Sequence, residues 1–165
     1  MGIPESSILI LFVGSGFERK GLQFLLQSTA YLKDRNWRLL LMGKGEFEKY
    51  MRFAPADKRT QIIAKEPDPE IEKYYAAADI FILPSIYEPF GNANLEALAT
   101  GLPVITTEYC GAADIINDKK NGLVVKDPFN PEEIAEKIRY LFTPSTREKI
   151  GENARELAEQ FPLER

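Results

Sequence analysis

Short runs of aliphatic residues alternate along the chain with segments in which apolar residues recur at helical spacing. The first run, Ile8 to Val13, is continuously apolar, as is typical of a strand buried on both faces of a parallel sheet. Leucines after Gly21 recur at intervals of three and four residues, which predicts a helix. A second apolar run, Arg38 to Met42, then predicts the next strand. This order is typical of βαβ units.

The same reasoning extends to the end of the chain. Asp68 with Pro69 predicts the start of a helix that runs through Ala78. Ser145 with Glu148 has the spacing of a capping box at the start of the last helix. The other predicted helices lie between Pro89 and Gly101, at Ala112 to Ile116, and from Pro131 with Ile134, Ile138, Leu141 and Phe142 on one face. The six predicted strands are Ile8–Val13, Arg38–Met42, Gln61–Ala64, Asp79–Leu83, Val104–Thr107 and Leu123–Val125.

This alternation predicts a single Rossmann-like α/β domain over residues 1–165. We expect a doubly wound parallel sheet of six strands with helices on both faces. In such sheets ligands bind beyond the carboxyl ends of the strands, so the loops there are the expected functional loops. Residues 161–165 are interpreted as a truncation or a frayed end.

The composition excludes several classes of site. The chain has 165 residues and no histidine, so it contains neither a histidine base nor a histidine metal ligand. Its one cysteine, Cys110, permits no internal disulfide and no multi-cysteine zinc site, and it is interpreted as a packed residue rather than a nucleophile. Metal sites built from histidines or from several cysteines are therefore excluded. No apolar run approaches the roughly 20 residues that a membrane span requires.

Charge is distributed unevenly along the chain. Residues 1–65 carry 11 basic and 6 acidic residues, whereas residues 66–165 carry 10 and 19. The basic part would attract an anionic ligand or a membrane surface, although solvated helix faces account for most such charges. We expect a cytoplasmic protein without a nucleic-acid partner, and leave open peripheral contact of a parent enzyme with the inner face of the membrane.

The loop after the first strand combines glycines with two cations. Gly14, Ser15 and Gly16 permit close approach of a ligand to the backbone, while Arg19 and Lys20 bring two positive charges to the sheet edge. A phosphate group would fit there. The loop lacks the spacing of a dinucleotide fingerprint and the ending of a P-loop, and a surface turn with solvated cations is an equal alternative.

Seven residues separate two glutamates, Glu88 and Glu96, around the start of the fourth predicted helix. Pro89 favours an extended backbone at Glu88, which projects that side chain from the loop. The neighbours of Glu96 are nearly all small or apolar, and an unpaired carboxylate in such surroundings is costly. We therefore expect a polar ligand to satisfy Glu96.

The start of this helix is itself a candidate anion site. Gly91 has no side chain where the helix begins, and the backbone N–H groups of residues 92–95 are free to hold an anion with help from the helix dipole. The alternative is that Asn92 caps the helix and that Glu88 and Glu96 pair with lysines.

Taken in order, these motifs resemble the retaining GT-B glycosyltransferases of family 4. A glutamate, seven residues and a second glutamate mark the donor-sugar site of that family. The resemblance covers nearly the whole chain, and the first loop with the Cys110–Gly111 pair is most similar to the lipopolysaccharide-core glucosyltransferases. The segments that carry it are residues 14–21, 76–79, 88–96, 97–105 and 121–124. The chain departs from the family at residues 110–114, where Gly-Gly-x-x-Glu is usual.

The resemblance implies a role for each motif residue. Glu88 would hydrogen-bond hydroxyls of the donor sugar, and Glu96 those of the ribose. Arg19 and Lys20 would neutralise the diphosphate as the sugar–phosphate bond breaks, and with Glu88 they are the implied catalytic residues. The resemblance implies no metal and no cofactor. Lys65 and Glu66 would belong to a nucleobase loop. The implied donor-binding residues are Gly14, Ser15, Gly16, Phe90, Gly91, Asn92, Ala93, Leu95 and Glu96.

The resemblance also implies one half of a two-domain enzyme. Family members place the active site between two Rossmann-like domains, and this chain corresponds to the second, so the N-terminal acceptor-binding domain would be missing. We expect a donor-binding domain that takes a nucleotide diphosphate sugar for retaining hexosyl transfer and that is nearly inactive alone. The alternatives are a nucleotide-sugar epimerase of GT-B architecture and a non-catalytic nucleotide-sugar-binding module.

Overall fold

The computed structural model describes residues 2–34 and 36–161, so most of the predicted frayed end, residues 162–165, lies outside the described residues. Six parallel strands form one sheet in the order β3-β2-β1-β4-β5-β6. The doubly wound α/β fold is confirmed. The strands are β1 (Ile8–Val13), β2 (Trp37–Met42), β3 (Ile62–Lys65), β4 (Ile80–Ile82), β5 (Val104–Thr107) and β6 (Leu123–Val125).

The central strands form because their side chains are apolar on both faces. Leu9, Ile10, Leu11 and Phe12 of β1 are all buried, and β1 pairs with both β2 and β4. Buried aliphatic strands of this kind are typical of parallel sheets covered by helices on both sides. The core of the domain therefore lies along the two faces of this sheet.

Six α-helices connect and cover the strands within the described part of the chain. Successive strands run outward from β1 in both directions, and right-handed crossovers therefore place the helices on opposite faces of the sheet. The helices are α1 (Leu22–Ser28), α2 (Phe47–Met51), α3 (Ile71–Ala77), α4 (Asn92–Ala99), α5 (Pro131–Tyr140) and α6 (Pro144–Glu159). Helix α1 packs on α5, and α4 packs on α6. None of these helices has both the length and the apolar character needed to cross a lipid bilayer.

Strands β1, β5 and β6 have their predicted bounds, whereas the bounds of β2, β3 and β4 differ from the predicted ones by one residue. Strand β2 begins one residue early, at Trp37, and β3 begins after Gln61, which closes a short 3-10 turn and donates its side-chain amide to the Trp37 carbonyl. Strand β4 is shorter than predicted, although the N–H groups of Asp79 and Leu83 still donate to the neighbouring strands. The extended segment is therefore as long as the sequence indicated.

Two predicted helix starts are wrong. The capping box of Ser145 and Glu148 does not form, because Pro144 already occupies the first turn and α6 begins there without a side-chain cap. The helix expected from Asp68 begins only at Ile71, since the Asp68 carboxylate accepts the Glu70 N–H at 2.9 Å and closes a turn first.

Two short helical segments also differ from the expectation. The segment predicted as a helix at residues 112–116 is a 3-10 turn at Gly111–Ile115. Helix α2 has no counterpart in the prediction. Its residues Phe47 and Tyr50 pack on Phe17, with ring centroids 4.5 Å and 5.6 Å apart. Contacts with a distant loop, rather than a long periodic pattern, therefore hold α2 in place.

The loops after β1 and β4 lie side by side at the carboxyl edge of the sheet. The Ile86 N–H donates to the Arg19 carbonyl at 2.8 Å. Gly21 has a φ of +72°, and a Cβ there would lie 2.1 Å from the Pro84 carbonyl oxygen. Both the backbone angle and the close approach therefore require glycine at this position.

We expect Gly21→Ala to lower the free energy of unfolding by about 3 kcal/mol or more, because it adds a backbone clash to the strain of a positive φ. Gly16→Ala is the matched control, since Gly16 has a φ of +74° but open space around its Cα. Strain alone should cost the control about 1 kcal/mol. Urea denaturation followed by circular dichroism measures both, and equal losses would contradict the clash.

Candidate functional site

The loop after β1 and the loop after β4 bring two cations to one carboxylate. The Lys20 Nζ lies 2.7 Å from Glu88 Oε2, and the Arg19 Nη2 lies 3.7 Å from the same oxygen. The side chains of Lys20 and Glu88 are 14% and 13% exposed, whereas that of Arg19 is 51% exposed. The three residues predicted to be catalytic therefore lie together, with Lys20 and Glu88 forming the inner pair.

Gly14 and Ser15 lie in the loop that carries Lys20. A Cβ at Gly14 would lie 2.4 Å from the Lys20 Cδ, so the absence of a side chain leaves room for the lysine stem to lie against the loop. The Ser15 hydroxyl accepts the Lys44 N–H at 3.0 Å, which ties the loop after β1 to the loop after β2. Gly16 is exposed, with a positive φ. All three predicted residues of this loop lie at the carboxyl edge of the sheet.

The backbone of Glu88 is held on both sides by the loop after β5. Its N–H donates to the Tyr109 carbonyl at 3.1 Å, and its carbonyl accepts the Gly111 N–H at 2.9 Å. Gly111 is close-packed here, because a Cβ would lie 2.0 Å from the Pro89 carbonyl oxygen. Glu88 is thus fixed by main-chain hydrogen bonds as well as by its ion pair.

Helix α4 begins next to Glu88 without a side-chain cap. Gly91 precedes it with a φ of +79°, and the Asn94 N–H donates to the Gly91 carbonyl at 2.9 Å. Asn92 is exposed and does not cap the helix, so that alternative is wrong. Of the two glutamates in this alternative, Glu88 pairs with Lys20, whereas Glu96 pairs with no lysine in the described part of the chain.

Beneath the helix start lies a buried polar contact that sequence analysis missed. Asn94 is fully buried, and its Nδ2 lies 3.2 Å from Cys110 Sγ and 3.3 Å from Thr106 Oγ1. Cys110 is buried, as predicted, and its Sγ lies 3.4 Å from the Phe90 carbonyl. An asparagine on the buried side of an apolar helix was the signal available in the sequence.

Glu96 does not lie in apolar surroundings, and this prediction is wrong. The residues that α4 buries include Leu95 and Ala97, which leaves Glu96 between them on the outward side of the helix, where it is exposed. It accepts a hydrogen bond from the Tyr75 hydroxyl at 3.1 Å on Oε2. It forms no ion pair with a lysine or arginine of residues 2–34 and 36–161.

The other predicted donor-binding residues of this helix start differ in exposure. Phe90 is 51% exposed, Ala93 is half-buried, and Leu95 is 5% exposed. The Leu95 side chain belongs to the core, so Leu95 can offer a ligand its backbone only.

The predicted nucleobase loop lies at the carboxyl end of β3. Lys65 Nζ is 3.7 Å from Asp68 Oδ2, and Glu66 is exposed. Hydrogen bonds from the Glu70 N–H and the Tyr74 hydroxyl lower the pKa of Asp68. Because β2 lies between β3 and β1, this loop is at the same edge of the sheet as the loop of Lys20 but two strands away from it.

The arrangement favours an anionic ligand that also carries hydroxyl groups. Two cations face one carboxylate, and the positive end of the α4 dipole adds to the excess of positive charge. Glu88 and Glu96 supply acceptors for hydroxyl donors nearby. The loops after β1 and β4 lie at the point where the order of the strands reverses, which is the usual ligand position in doubly wound sheets.

The fold and the site define a ligand-binding domain of the doubly wound α/β class. Residues 1–157 match the family described as glycosyl transferases group 1, and the chain belongs to this family. It is a glycosyltransferase domain, and the match does not favour the epimerase or the non-catalytic module.

Relatives of known name and structure agree with this assignment. The chain is 34% identical over 167 residues to the lipopolysaccharide glucosyltransferase WaaG of Escherichia coli, covering 98% of this chain and 45% of that protein. The crystal structure of WaaG matches with a TM-score of 0.78, over 96% of this chain and 44% of that one. The chain spans less than half the length of the curated relatives it matches.

Two further solved structures match over nearly the whole chain. The C-terminal domain of the Francisella tularensis group 1 glycosyl transferase LpcC is 27% identical, with a TM-score of 0.80, and the match covers 96% of this chain and 87% of that domain. Anabaena HepE, in complex with UDP and glucose, is 20% identical with a TM-score of 0.83, over 94% of this chain and 44% of that one. At this identity, HepE supports the fold alone.

We expect Lys20→Met to lower the free energy of unfolding by about 1–2 kcal/mol, because it leaves the largely buried carboxylate of Glu88 without its closest partner. Arg19→Met is the matched control. Half of the Arg19 side chain is exposed, and its loss should cost less than about 0.5 kcal/mol. Urea denaturation at low ionic strength compares the two variants. A larger loss for Arg19→Met would contradict the assignment of Lys20 as the inner partner.

Proposed function

We propose that this chain is the donor-binding domain of a retaining hexosyltransferase and binds a nucleotide diphosphate sugar between the loops after β1 and β4. The observation that carries the proposal is the ion pair of Lys20 and Glu88 beside the uncapped start of α4. A diphosphate needs positive charge, and a sugar needs hydrogen-bond acceptors. The loops after β1 and β4 supply both, the positive charge from Arg19 and Lys20 and an acceptor from Glu88.

In the proposed complex each charged residue has one task. Arg19, Lys20 and the start of α4 hold the diphosphate, while Glu88 accepts hydrogen bonds from sugar hydroxyls and Glu96 from ribose hydroxyls. When the bond from the anomeric carbon to the diphosphate oxygen breaks, its electron pair remains on that oxygen. The two cations stabilise the charge that develops there. The acceptor oxygen forms the new bond on the same face of the sugar, and its proton passes to the departing diphosphate oxygen.

The relatives support the class of ligand while leaving its identity open. WaaG is named a lipopolysaccharide glucosyltransferase. A relative in Corynebacterium kroppenstedtii that is 31% identical is named a D-inositol 3-phosphate glycosyltransferase. The proposal therefore specifies a nucleotide diphosphate hexose but neither the base nor the acceptor.

The remaining half of the enzyme is part of the proposal. Relatives about twice as long, and the match to an isolated C-terminal domain, support an acceptor-binding domain outside this chain. Function without a metal stays a prediction, as does a cytoplasmic location with peripheral membrane contact.

We expect at least one of UDP, GDP and ADP to bind the chain at millimolar concentration or below, with EDTA present. Glu96→Ala should weaken that binding by about fivefold or more, because the ribose loses a charged acceptor. The matched control is Glu136→Ala, which removes an exposed carboxylate on α5. Calorimetric titration measures all three proteins, and the absence of binding by every nucleotide would overturn the proposal.

Turnover by the chain alone should be negligible, because acceptor positioning contributes much of the rate in such transfers. The measurement is release of nucleoside diphosphate from UDP-glucose, GDP-glucose and ADP-glucose by the purified chain. A rate comparable to that of a full-length relative such as WaaG would contradict the proposed need for a second domain.

In a full-length enzyme, the anomeric configuration of the product, read by proton NMR, tests whether the transfer retains the configuration of the donor sugar.

A further inference from the structure

The hydroxyl of Tyr75 is the one hydrogen-bond donor that the described residues supply to Glu96. Tyr75 lies on α3 and Glu96 on α4, so this bond of 3.1 Å joins two helices on the same face of the sheet. The donor and the acceptor differ sharply in exposure. Tyr75 is 3% exposed, whereas Glu96 is exposed. The buried side chain of Tyr75 thus holds the carboxylate of the exposed Glu96 by a hydrogen bond.

The hydrogen bond occupies only one of the two carboxylate oxygens. Tyr75 donates to Oε2, and among the described residues no donor is recorded for Oε1. A free glutamate side chain on a helix surface samples several rotamers, and each bound ligand must immobilise it. With Oε2 held, Oε1 remains in one place and available to a hydroxyl donor.

The environment of Tyr75 keeps both its ring and its proton in place. The ring packs beside Phe81 of β4, with centroids 5.9 Å apart. Burial, together with the negative charges of Glu96 and Glu72, holds the pKa of the Tyr75 hydroxyl far above its usual value. The hydroxyl therefore keeps the proton that it donates to Glu96, and the packing of the ring sets its position.

We propose that Tyr75 is a positioning residue that aims Glu96 Oε1 at the ribose diol of the bound nucleotide. This inference rests on the proposed role of Glu96 as the ribose-binding carboxylate. Tyr75 touches no part of the donor in this scheme. It acts through Glu96, so its removal should matter only to ligands whose ribose hydroxyls contact Glu96.

The test is calorimetric titration with the nucleoside diphosphate that binds best among UDP, GDP and ADP, and with its 2′,3′-dideoxy counterpart. Tyr75→Phe keeps the ring and removes the hydroxyl, and it should weaken the ribonucleotide about three- to tenfold while leaving the dideoxynucleotide unchanged. Glu96→Gln should show the same selectivity. Tyr75→Phe combined with Glu96→Gln should bind no more weakly than Glu96→Gln alone. Tyr140→Phe, on α5, is the matched control and should change neither affinity.

Each other result has a definite meaning. If Glu96→Gln weakens only the ribonucleotide but Tyr75→Phe leaves it unchanged, or weakens both ligands equally, Tyr75 serves packing alone and the inference is wrong. If Glu96→Gln itself shows no preference for the ribonucleotide, the ribose role of Glu96 fails and the inference fails with it. Circular dichroism and a urea titration establish that each variant is folded. If Tyr75→Phe does not fold, Tyr75→Leu replaces it with the same selective loss expected, and loss for both ligands would overturn the inference.

Discussion

The parallel pairing of β1 with β4 is the constraint on which the site depends. From this pair the chain runs outward in opposite directions, first through β2 and β3 and later through β5 and β6. The loops that follow β1 and β4 consequently open toward each other, and they are joined by the hydrogen bond from Ile86 to Arg19. Backbone hydrogen bonds between the strands therefore bring the two loops together, and the ion pair of Lys20 and Glu88 joins their side chains.

Most of the fold could be predicted from the sequence, because the strands of the sheet are buried runs of aliphatic residues. Strand β1 matches its predicted bounds, and Pro131 begins α5 as expected, with Asn130 as the cap. Local signals failed where two of them competed. At the start of α6, the fixed φ of Pro144 prevailed over the hydroxyl of Ser145. Helix α2 was not predictable, since its five residues are too few for a periodic pattern and depend on Phe17, about 30 positions away.

The candidate site was predictable in outline but not in its contacts. The order of strands and loops was sufficient to place Arg19, Lys20 and Glu88 at one edge of the sheet. The exposure of Glu96 depends on the rotation of α4 about its axis, and apolar sequence neighbours do not specify that rotation. The hydroxyl of Tyr75 crosses between two helices, and no spacing in a single sequence encodes such a contact.

The bracing of Glu88 by the loop after β5 has a further consequence. The N–H and carbonyl groups of Glu88 are hydrogen-bonded to Tyr109 and Gly111, and the close approach of Gly111 to Pro89 packs the two loops tightly together. A ligand that binds at Glu88 therefore contacts a backbone that is already fixed in position. Because the backbone at Glu88 loses little conformational entropy on binding, even modest contacts are sufficient for measurable affinity.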